Sequence, residues 1–212
     1  MRTRLSPEQR RAQLLEIGTE LFARRPYEEV SVDDVADIAK ISKRLLYHYF
    51  PSKRAFFLTI VEEQGNKLLQ TTTPDPSLPP LRQVEAGLEF YIDSAEQSPD
   101  AYRMAHEAAL ADRDAQLLRQ TRVAAQRNRI LAALSPIITV DEEAGIMVTA
   151  WCAFAQTAIL EWLDNPTITR EQLRDLCSRA LWAALGLLPA NQFSDRPVPV
   201  DLPQDEQHDD GH

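Results

Sequence analysis

The chain has 212 residues and a formal net charge of −9, from 23 lysines and arginines against 32 aspartates and glutamates. Hydrophobic residues make up 44% of it, close to the globular average, so the chain is long and apolar enough for a sizeable core. It contains no run of about 18 uncharged apolar residues, and no apolar segment follows the charged N-terminus, so the composition favours neither a membrane span nor a secretory signal.

Charge is distributed unevenly along the chain. Residues 1–67 carry 12 basic and 10 acidic side chains, a net of +2, whereas the remainder carries 11 basic and 22 acidic side chains, a net of −11. Such asymmetry is typical of a short segment that meets a polyanion, joined to a body that does not. The cysteines, Cys152 and Cys177, lie in apolar helical patterns, which favours buried free thiols and a cytoplasmic location over a disulfide.

The first two predicted helices begin at serine caps. Ser6 is followed by Pro7 and by Gln9 in the capping-box position, and the helix that they start ends at Pro26. Ser31 starts a second, short helix with an apolar inner face, and two acidic residues near its start suit the helix dipole.

A third and a fourth helix follow in quick succession. A break of about three residues within 39–42 separates the second helix from the third, which Ser42 caps. Pro51 ends the third helix, because proline cannot lie inside a helix without breaking it. Ser52 starts a long fourth helix that is predicted to end near residue 70.

The rest of the sequence is helical in pattern, after a proline-rich stretch at 71–80. Apolar residues at helical spacing predict five further helices, at 81–97, 99–111, 114–134, 141–163 and 170–187. The sequence therefore predicts an all-α fold of about nine helices. Its predicted parts are an N-terminal domain of three helices at 1–51, a connecting helix at 52–70, a helical domain at 71–188 and a disordered acidic tail at 189–212.

Two short helices joined by a three-residue turn, the second of them basic and aromatic, indicate a helix-turn-helix, which makes 1–51 a predicted DNA-binding domain. The second helix of that motif enters the major groove of double-stranded DNA, so Lys43 and Arg44 at its start are predicted to read base edges. The other predicted DNA contacts are a thymine methyl for Leu45, phosphates for Tyr47, Tyr49, Lys53, Ser31 and Ser42, and phosphate or plain solvent for His48. An ordinary solvated basic face is the alternative interpretation.

The run VDDVADIAKISKRLLYHYFPSK, residues 32–53, resembles the TetR family of bacterial transcriptional repressors. The resemblance covers about residues 8–65 and rests on Ile38-Ala39, Ile41-Ser42, Leu46-Tyr47, Tyr49-Phe50 and Lys53. Two positions depart from the family pattern. Lys40 stands where glycine is common in the turn, which requires a left-handed lysine or a different turn. Arg44-Leu45 stands where Gly-Thr is common, which shifts DNA contact towards Lys43 and Arg44.

A helix-turn-helix monomer reads few base pairs, so such proteins dimerise to span two half-sites. The resemblance implies that the last two helices of each subunit form a four-helix homodimer interface. Small residues permit close helix approach there, but the same apolar stripes also suit the core of a monomer. The candidate interface residues are Ala155, Ala158, Ile159, Trp162, Leu173, Leu176, Ala180, Leu181 and Ala184.

The resemblance also implies a small-molecule effector pocket in the C-terminal domain. Its candidate lining is mostly aromatic or flexible, which suits a largely apolar ligand: Phe90, Tyr91, Tyr102, Met104, His106, Met147, Trp151, Phe154 and Gln156. Each could instead be an ordinary core residue, and His106 needs a hydrogen-bond partner in either case. A ligand would favour a conformation whose recognition helices no longer match the half-site spacing, with the fourth helix transmitting the change.

Enzyme motifs are missing from the sequence. HEAAL at 106–110 lacks the second histidine of a zinc-protease helix, and neither cysteine has a C-x-x-C partner, so no cofactor or metal is predicted. The chain is predicted to be a cytoplasmic, ligand-responsive repressor that binds a palindromic operator as a homodimer and has no enzyme activity. A small all-helical enzyme or ligand carrier is the rival class, and activation is an alternative because DNA binding alone does not set its sign.

Overall fold

The computed structural model describes residues 5–72 and 75–187, and all regular structure in those two ranges is helical. The all-α fold with about nine helices, predicted from the sequence, is confirmed for this part of the chain. The predicted tail at 189–212 lies outside the described residues. The helices are α1 Pro7–Arg24, α2 Val32–Ala39, α3 Lys43–Tyr49, α4 Lys53–Thr71, α5 Pro80–Gln97, α6 Pro99–Ala111, α7 Arg113–Leu134, α8 Glu142–Asp164 and α9 Arg170–Ala184, with one 3-10 turn at Tyr27–Glu29.

Local capping explains where the helices begin. Ser6 accepts a hydrogen bond from the Gln9 amide at 3.2 Å, and the Gln9 side chain accepts one from the Ser6 amide at 2.9 Å. This reciprocal pairing satisfies two helix-end donors that have no partner inside the helix. Thr169 and Gln172 form the same capping box at the start of α9, where the sequence predicts a helix from residue 170.

The C-terminal end of α9 differs from the prediction. The apolar pattern predicts a helix to residue 187, but α9 ends at Ala184. Gly186 adopts a left-handed backbone with φ of 67°, and the Leu187 amide donates back to the Trp182 carbonyl at 2.8 Å. A left-handed glycine just past a helix end is a common stop, because glycine has no Cβ to clash there.

Two hydrophobic clusters hold the helices together. The first cluster is built by α1 to α4, with Leu14, Leu46 and Phe56 fully buried at its centre. Residues of α6 and α7 also join this cluster, among them Met104 and Ala115. The second cluster is built by α5, α7, α8 and α9. Helix α7 therefore packs on both clusters, and it contacts α4, α5, α6 and α8.

Gly18 is where α1 and α4 approach most closely in the first cluster. A Cβ at this position would overlap the Phe56 ring and the end of Ile60. We expect Gly18→Ala to lower the free energy of unfolding by about 2 kcal/mol, since overpacking costs more than the helix propensity gained. Gly145 is the matched control: a Cβ there meets open space, so Gly145→Ala is expected to stabilise by about 0.5–1 kcal/mol. Urea denaturation at one protein concentration measures both, and equal effects would contradict the predicted close packing at Gly18.

Candidate DNA-binding surface and internal cavity

The turn between α2 and α3 is closed by a left-handed lysine. Lys40 has φ of 54° and ψ of 49°, and it is the only described residue other than glycine with a positive φ. The Ile41 amide donates to the Ala36 carbonyl at 3.0 Å, which completes the helix end. Lys40 therefore adopts the left-handed backbone conformation that usually favours glycine. This conformation costs about 1–2 kcal/mol of folding free energy for a residue that has a Cβ.

Helix α3 divides into a buried side and an exposed side. Leu46 is fully buried and Phe50 is nearly so, and both anchor the helix to the first cluster. Four predicted DNA contacts project outward from α3: Arg44, Leu45, Tyr47 and His48. Leu45 and Tyr47 are 38% and 41% exposed, although large apolar side chains are usually covered. An exposed apolar and basic helix of this kind presents hydrogen-bond donors and methyl-binding groups to a partner.

The remaining predicted DNA contacts take part in interactions within the chain. Ser31 and Ser42 cap α2 and α3, accepting hydrogen bonds from backbone amides at 3.0 and 3.2 Å. Tyr49 is half-buried and packs against the first cluster. Lys53 donates to the Glu28 carbonyl at 3.2 Å, and its Nζ lies 4.3 Å from the centre of the Tyr27 ring.

Lys43 forms an ion pair with Asp33 of α2. The Lys43 Nζ lies 2.7 Å from the Asp33 carboxylate, and both side chains are at least half exposed. The hydrogen bond to Asp33 raises the pKa of Lys43 above its ordinary value. Asp33 therefore places a negative charge beside Lys43, which is one of the two side chains predicted to contact base edges.

A cavity of about 360 Å³ lies between α4, α5, α6, α7 and α8. Its volume is in the range of small-molecule binding sites, and most of its wall is apolar. The structure brings together five of the predicted pocket residues along this wall: Tyr91, Tyr102, His106, Trp151 and Gln156.

The other predicted pocket residues lie elsewhere, and for these four the prediction is not met by the structure. Met104 is buried in the first cluster, on the opposite side of α6. Phe90 and Phe154 are 53% and 41% exposed, and neither lines the cavity. Met147 is half-buried on α8 but also lies away from it. Aromatic or flexible character does not say which way a side chain points from its helix.

Burial favours the neutral form of two tyrosines and one histidine in the cavity. The Tyr102 hydroxyl donates to the Tyr91 hydroxyl at 2.9 Å. Burial raises the pKa of Tyr91 to about 12 and raises the pKa of Tyr102 further. Burial also lowers the pKa of His106, with the Arg119 charge adding to that effect. The buried His106 Nδ1 has no hydrogen-bond partner among the described residues, so it is available to a ligand.

Two cavity residues that the sequence did not predict are Arg119 and Arg122 of α7. They recur with Val123, Gln126 and Ile130 at helical spacing, on the side of α7 that faces the cavity. In the sequence these arginines look like part of a solvated face, because α7 carries other arginines that point outward. The mixture of polar and apolar residues on that one side was the only available signal.

The predicted dimer residues divide between core and surface. Ala155, Ile159, Leu173 and Leu181 are buried in the second cluster of a single subunit. Ala158, Trp162 and Ala180 are half-buried, and Leu176 and Ala184 are exposed. Any interface on these helices therefore uses the exposed and half-buried members, together with exposed neighbours such as Ile146, which the sequence did not single out, and Phe154, which was predicted in the pocket.

Helix α8 is apolar well beyond the side that it buries. By length and composition alone it could cross a membrane, although the core helix of a soluble protein passes the same test. Only 22% of the most apolar 18-residue stretch of α8 is buried within the chain. Its exposed residues include Ile146, Ala150 and Phe154, which recur at helical spacing. This uncovered apolar stripe needs a partner surface or remains in contact with water.

An ion-pair cluster ties the start of α4 to the start of α7. Arg54 donates to the Asp112 carboxylate at 2.9–3.2 Å and to the Asp114 carboxylate at 2.7 Å. Asp112 is also the N-cap of α7, and Arg54 follows Lys53 directly on α4. Helix α7 therefore contacts the region of the helix-turn-helix at one end and lines the cavity further along.

The fold and this site define a class: a helix-turn-helix protein whose other helices enclose an internal cavity. Residues 14–60 match the family model of bacterial regulatory proteins, tetR family. Together with the curated relatives described below, this match confirms the resemblance to the TetR family that the sequence shows.

Curated relatives share part of the chain. It is 32% identical over 111 residues to the transcriptional activator FasR of Mycolicibacterium smegmatis, covering 49% of this chain and 48% of FasR. It is 38% identical over 77 residues to the transcriptional regulator EthR of Mycobacterium tuberculosis, covering 35% of this chain and 36% of EthR. The chain thus spans about half the length, or less, of these relatives.

Solved structures resemble the fold over most of the chain. A tetR-family regulator from Streptomyces coelicolor superposes with a TM-score of 0.72 at 24% identity, covering 86% of this chain and 82% of that one. A putative transcriptional regulator from Pseudomonas aeruginosa superposes with a TM-score of 0.73 at 21% identity, covering 87% and 94%. At these identities the likeness shows the fold alone.

Proposed function

We propose that the protein is a transcriptional repressor that binds a palindromic DNA operator as a homodimer and leaves it when a small, largely apolar ligand occupies the cavity. The observation that supports this proposal most strongly is α3, a short helix held by buried Leu46 and Phe50 that exposes Arg44, Leu45 and Tyr47. Arginine can donate to guanine in the major groove, and an apolar side chain can contact the thymine methyl.

The charge distribution supports DNA as the partner of this surface. Residues 1–67 carry a net charge of +2, and the remainder of the chain carries −11. A phosphate backbone is attracted to the first part and repelled by the second, so the protein meets DNA with the helix-turn-helix. The acidic body thereby limits unproductive binding through its other faces.

The uncovered stripe on α8 supports the homodimer. A second copy of the same stripe, related by a two-fold axis, would cover Ile146 and Phe154 with equally apolar surface. A two-fold dimer also places two copies of α3 on one face, as a palindromic operator requires. Leu176 and Ala184 are likewise exposed on α9, which packs against α8.

Helices α4 and α7 are the proposed route from ligand to DNA. A ligand in the cavity contacts α7 and α4 directly, and Arg54 joins the start of α4 to Asp112 at the start of α7. The ligand releases DNA only if it binds more tightly to a conformation in which the two α3 helices no longer fit the operator. A change from 1% to 99% of that conformation needs about a 10⁴-fold preference.

Selection of genomic fragments by the purified full-length protein tests the proposal. We expect recovery of a palindromic site at about 100 mM salt, a condition that matters because such binding is steeply salt-dependent. Failure to enrich any palindrome would exclude the proposed operator binding. Measuring transcription from a promoter that carries the recovered site then shows whether the protein represses or activates. Both outcomes have precedent among the relatives, since FasR is named an activator and DhaR of Mycobacterium sp. is named a repressor.

Asp33 is expected to weaken operator binding by holding Lys43. Replacing Asp33 with asparagine removes a charge that competes with DNA for the lysine, and exposed pairs of this kind are worth about 0.2–1 kcal/mol. We therefore expect Asp33→Asn to tighten binding about two- to fivefold at low salt. Fluorescence anisotropy with a labelled operator measures the change. Asp37→Asn, an exposed acid on the same helix, is the control, and an equal gain there would show that Lys43 is not the cause.

A further inference from the structure

The described lining of the cavity contains basic side chains and no acidic ones. Among the described residues that line it, none is an aspartate or glutamate, whereas Lys67, Arg119 and Arg122 are basic. The acids that act on its groups from outside the lining are Glu62, near Arg122, and Glu107, near His106. A cationic ligand would meet like charge in this cavity, with no carboxylate to balance it.

The two arginines have only weak neutral partners. Arg119 donates to the Gln156 side chain at 3.4 Å, and Arg122 donates to the Val61 carbonyl at 3.4 Å. Neither forms an ion pair with a described carboxylate. Burial lowers the pKa of Arg122, and the charge of Arg119 lowers it further, with Glu62 opposing. Two adjacent guanidinium groups in this setting are stabilised by an anion placed between them.

Gly65 of α4 gives Arg122 its place. A Cβ at position 65 would overlap the Cδ, Nε and Cζ atoms of Arg122, so the glycine lets the guanidinium lie against the backbone of α4. Both arginines also act electrostatically on the Tyr91 hydroxyl. Burial raises the pKa of Tyr91, and the two positive charges oppose that rise. The guanidinium groups and the tyrosine hydroxyl thus converge on one side of the cavity.

Towards Ile130 the cavity wall is more apolar. Along α7 the lining runs from Arg119 to Ile130, a distance of roughly 16 Å at 1.5 Å per residue. Val84 and Leu88 of α5 pack in the same hydrophobic cluster as Ile130. The polar lining residues Thr72 and Gln126 satisfy each other there, since the Thr72 hydroxyl donates to the Gln126 side chain at 3.1 Å. The lining is therefore extended, with its two arginines on one side and a mainly apolar wall on the other.

We propose that the cavity binds an elongated molecule with an apolar body and an anionic oxygen headgroup, a carboxylate or a phosphate, which Arg119 and Arg122 hold. This proposal rests on the proposed function, because it names the class of ligand to which the regulator responds. A guanidinium group pairs with either headgroup through parallel hydrogen bonds, and the His106 Nδ1 supplies a further polar contact. The headgroup also competes with the Val61 carbonyl for Arg122, which places the ligand in contact with the helix that leads to the DNA-binding surface.

Isothermal titration calorimetry with the full-length protein tests this ligand class without DNA. The probes share one ten-carbon chain: decanoate, decyl phosphate, decanol and decylamine. We expect decanoate or decyl phosphate to bind at least about tenfold more tightly than decanol, and decylamine to bind more weakly than decanol, since a charged hydrogen bond is the stronger kind. The better of the two anions identifies the headgroup.

Variants locate the anion. Arg122→Gln and Arg119→Gln are each expected to weaken anion binding about tenfold or more and to leave decanol binding unchanged. Arg127→Gln, on the same helix but outside the cavity lining, is the matched control and should leave both unchanged. Gly65→Ala displaces the Arg122 guanidinium without removing it, so it should act like Arg122→Gln.

The proposal is overturned if decanol binds as tightly as both anions, if neither anion binds at about 1 mM, or if Arg122→Gln and Arg119→Gln both leave anion binding intact. None of these outcomes bears on operator binding, which the genomic selection measures in the absence of ligand. Conversely, anion binding by a protein that recovers no palindrome supports the ligand class and removes the proposed role in transcription.

Discussion

Replacing Lys43 and Arg44 together with alanine is expected to lower operator affinity by about 30- to 1000-fold, or about 2–4 kcal/mol. Each side chain at the start of α3 accounts for about 1–3 kcal/mol if it donates to a base edge in the major groove. The substitutions leave the fold in place, because both side chains are exposed and α3 is anchored by Leu46 and Phe50. Fluorescence anisotropy with the selected operator and with a scrambled duplex measures the loss.

The control for this prediction removes the same charge elsewhere. Arg82 is exposed on α5, and Arg127 lies on α7 well beyond the end that contacts the helix-turn-helix, so their double replacement by alanine also removes two positive charges. We expect it to change operator affinity less than about threefold, since screening limits the reach of surface charges to roughly 10 Å at 0.1 M salt. The rival class, a helical enzyme or ligand carrier, predicts that both double variants behave alike. An intact operator complex after loss of Lys43 and Arg44 would therefore exclude α3 as the reading helix.

Replacing Phe154 with glutamate is expected to convert the proposed homodimer to a monomer at micromolar concentration. In a two-fold interface the substitution enters twice, so two carboxylates replace two apolar rings in the stripe on α8. Burying an unpaired charge costs several kcal/mol, more than most such interfaces can lose. Operator affinity should fall by about 100-fold or more, since a monomer contacts one half-site. Sedimentation velocity measures the first effect and fluorescence anisotropy the second.

Phe90 offers a matched control for Phe154. It is 53% exposed on α5, outside the stripe formed by α8 and α9, so Phe90→Glu makes the same chemical change at a similarly exposed ring. We expect Phe90→Glu to leave both the sedimentation coefficient and operator affinity unchanged. A dimer that survives Phe154→Glu, or one that is lost equally with Phe90→Glu, would show that the interface is elsewhere.

Sequence alone determined the local structure of this protein. Ser6, Ser31, Ser42 and Thr169 each start a helix where the sequence predicted, because a cap acts on amides within three residues of it. The turn before α3 was also predicted, and only its backbone was open: Lys40 proved to be left-handed. The family resemblance came from the same short range, through side chains spaced along α2 and α3.

Tertiary structure decided which face of each later helix is covered. Ala155 and Ile159 were predicted at the interface and lie in the core, whereas Phe154 was predicted in the pocket and lies in the exposed stripe. An apolar stripe indicates that one side of a helix is covered, but it does not identify what covers it. The same chain, a second copy of the chain and a ligand all favour similar apolar residues.

The lining of the cavity is the clearest case of a feature that the sequence pattern does not determine. Arg119 and Arg122 belong to it because α7 packs between α4, α5, α6 and α8, and because Gly65 on α4 leaves room for a guanidinium group. The residues near either arginine in sequence give only a mixture of polar and apolar side chains on one side of α7, which does not determine that position. Capping depends on neighbours in sequence, and so the sequence determined the helices; the charge of a cavity depends on contacts between residues 50 or more positions apart, such as Arg122 with Val61, and only the packed fold decides it.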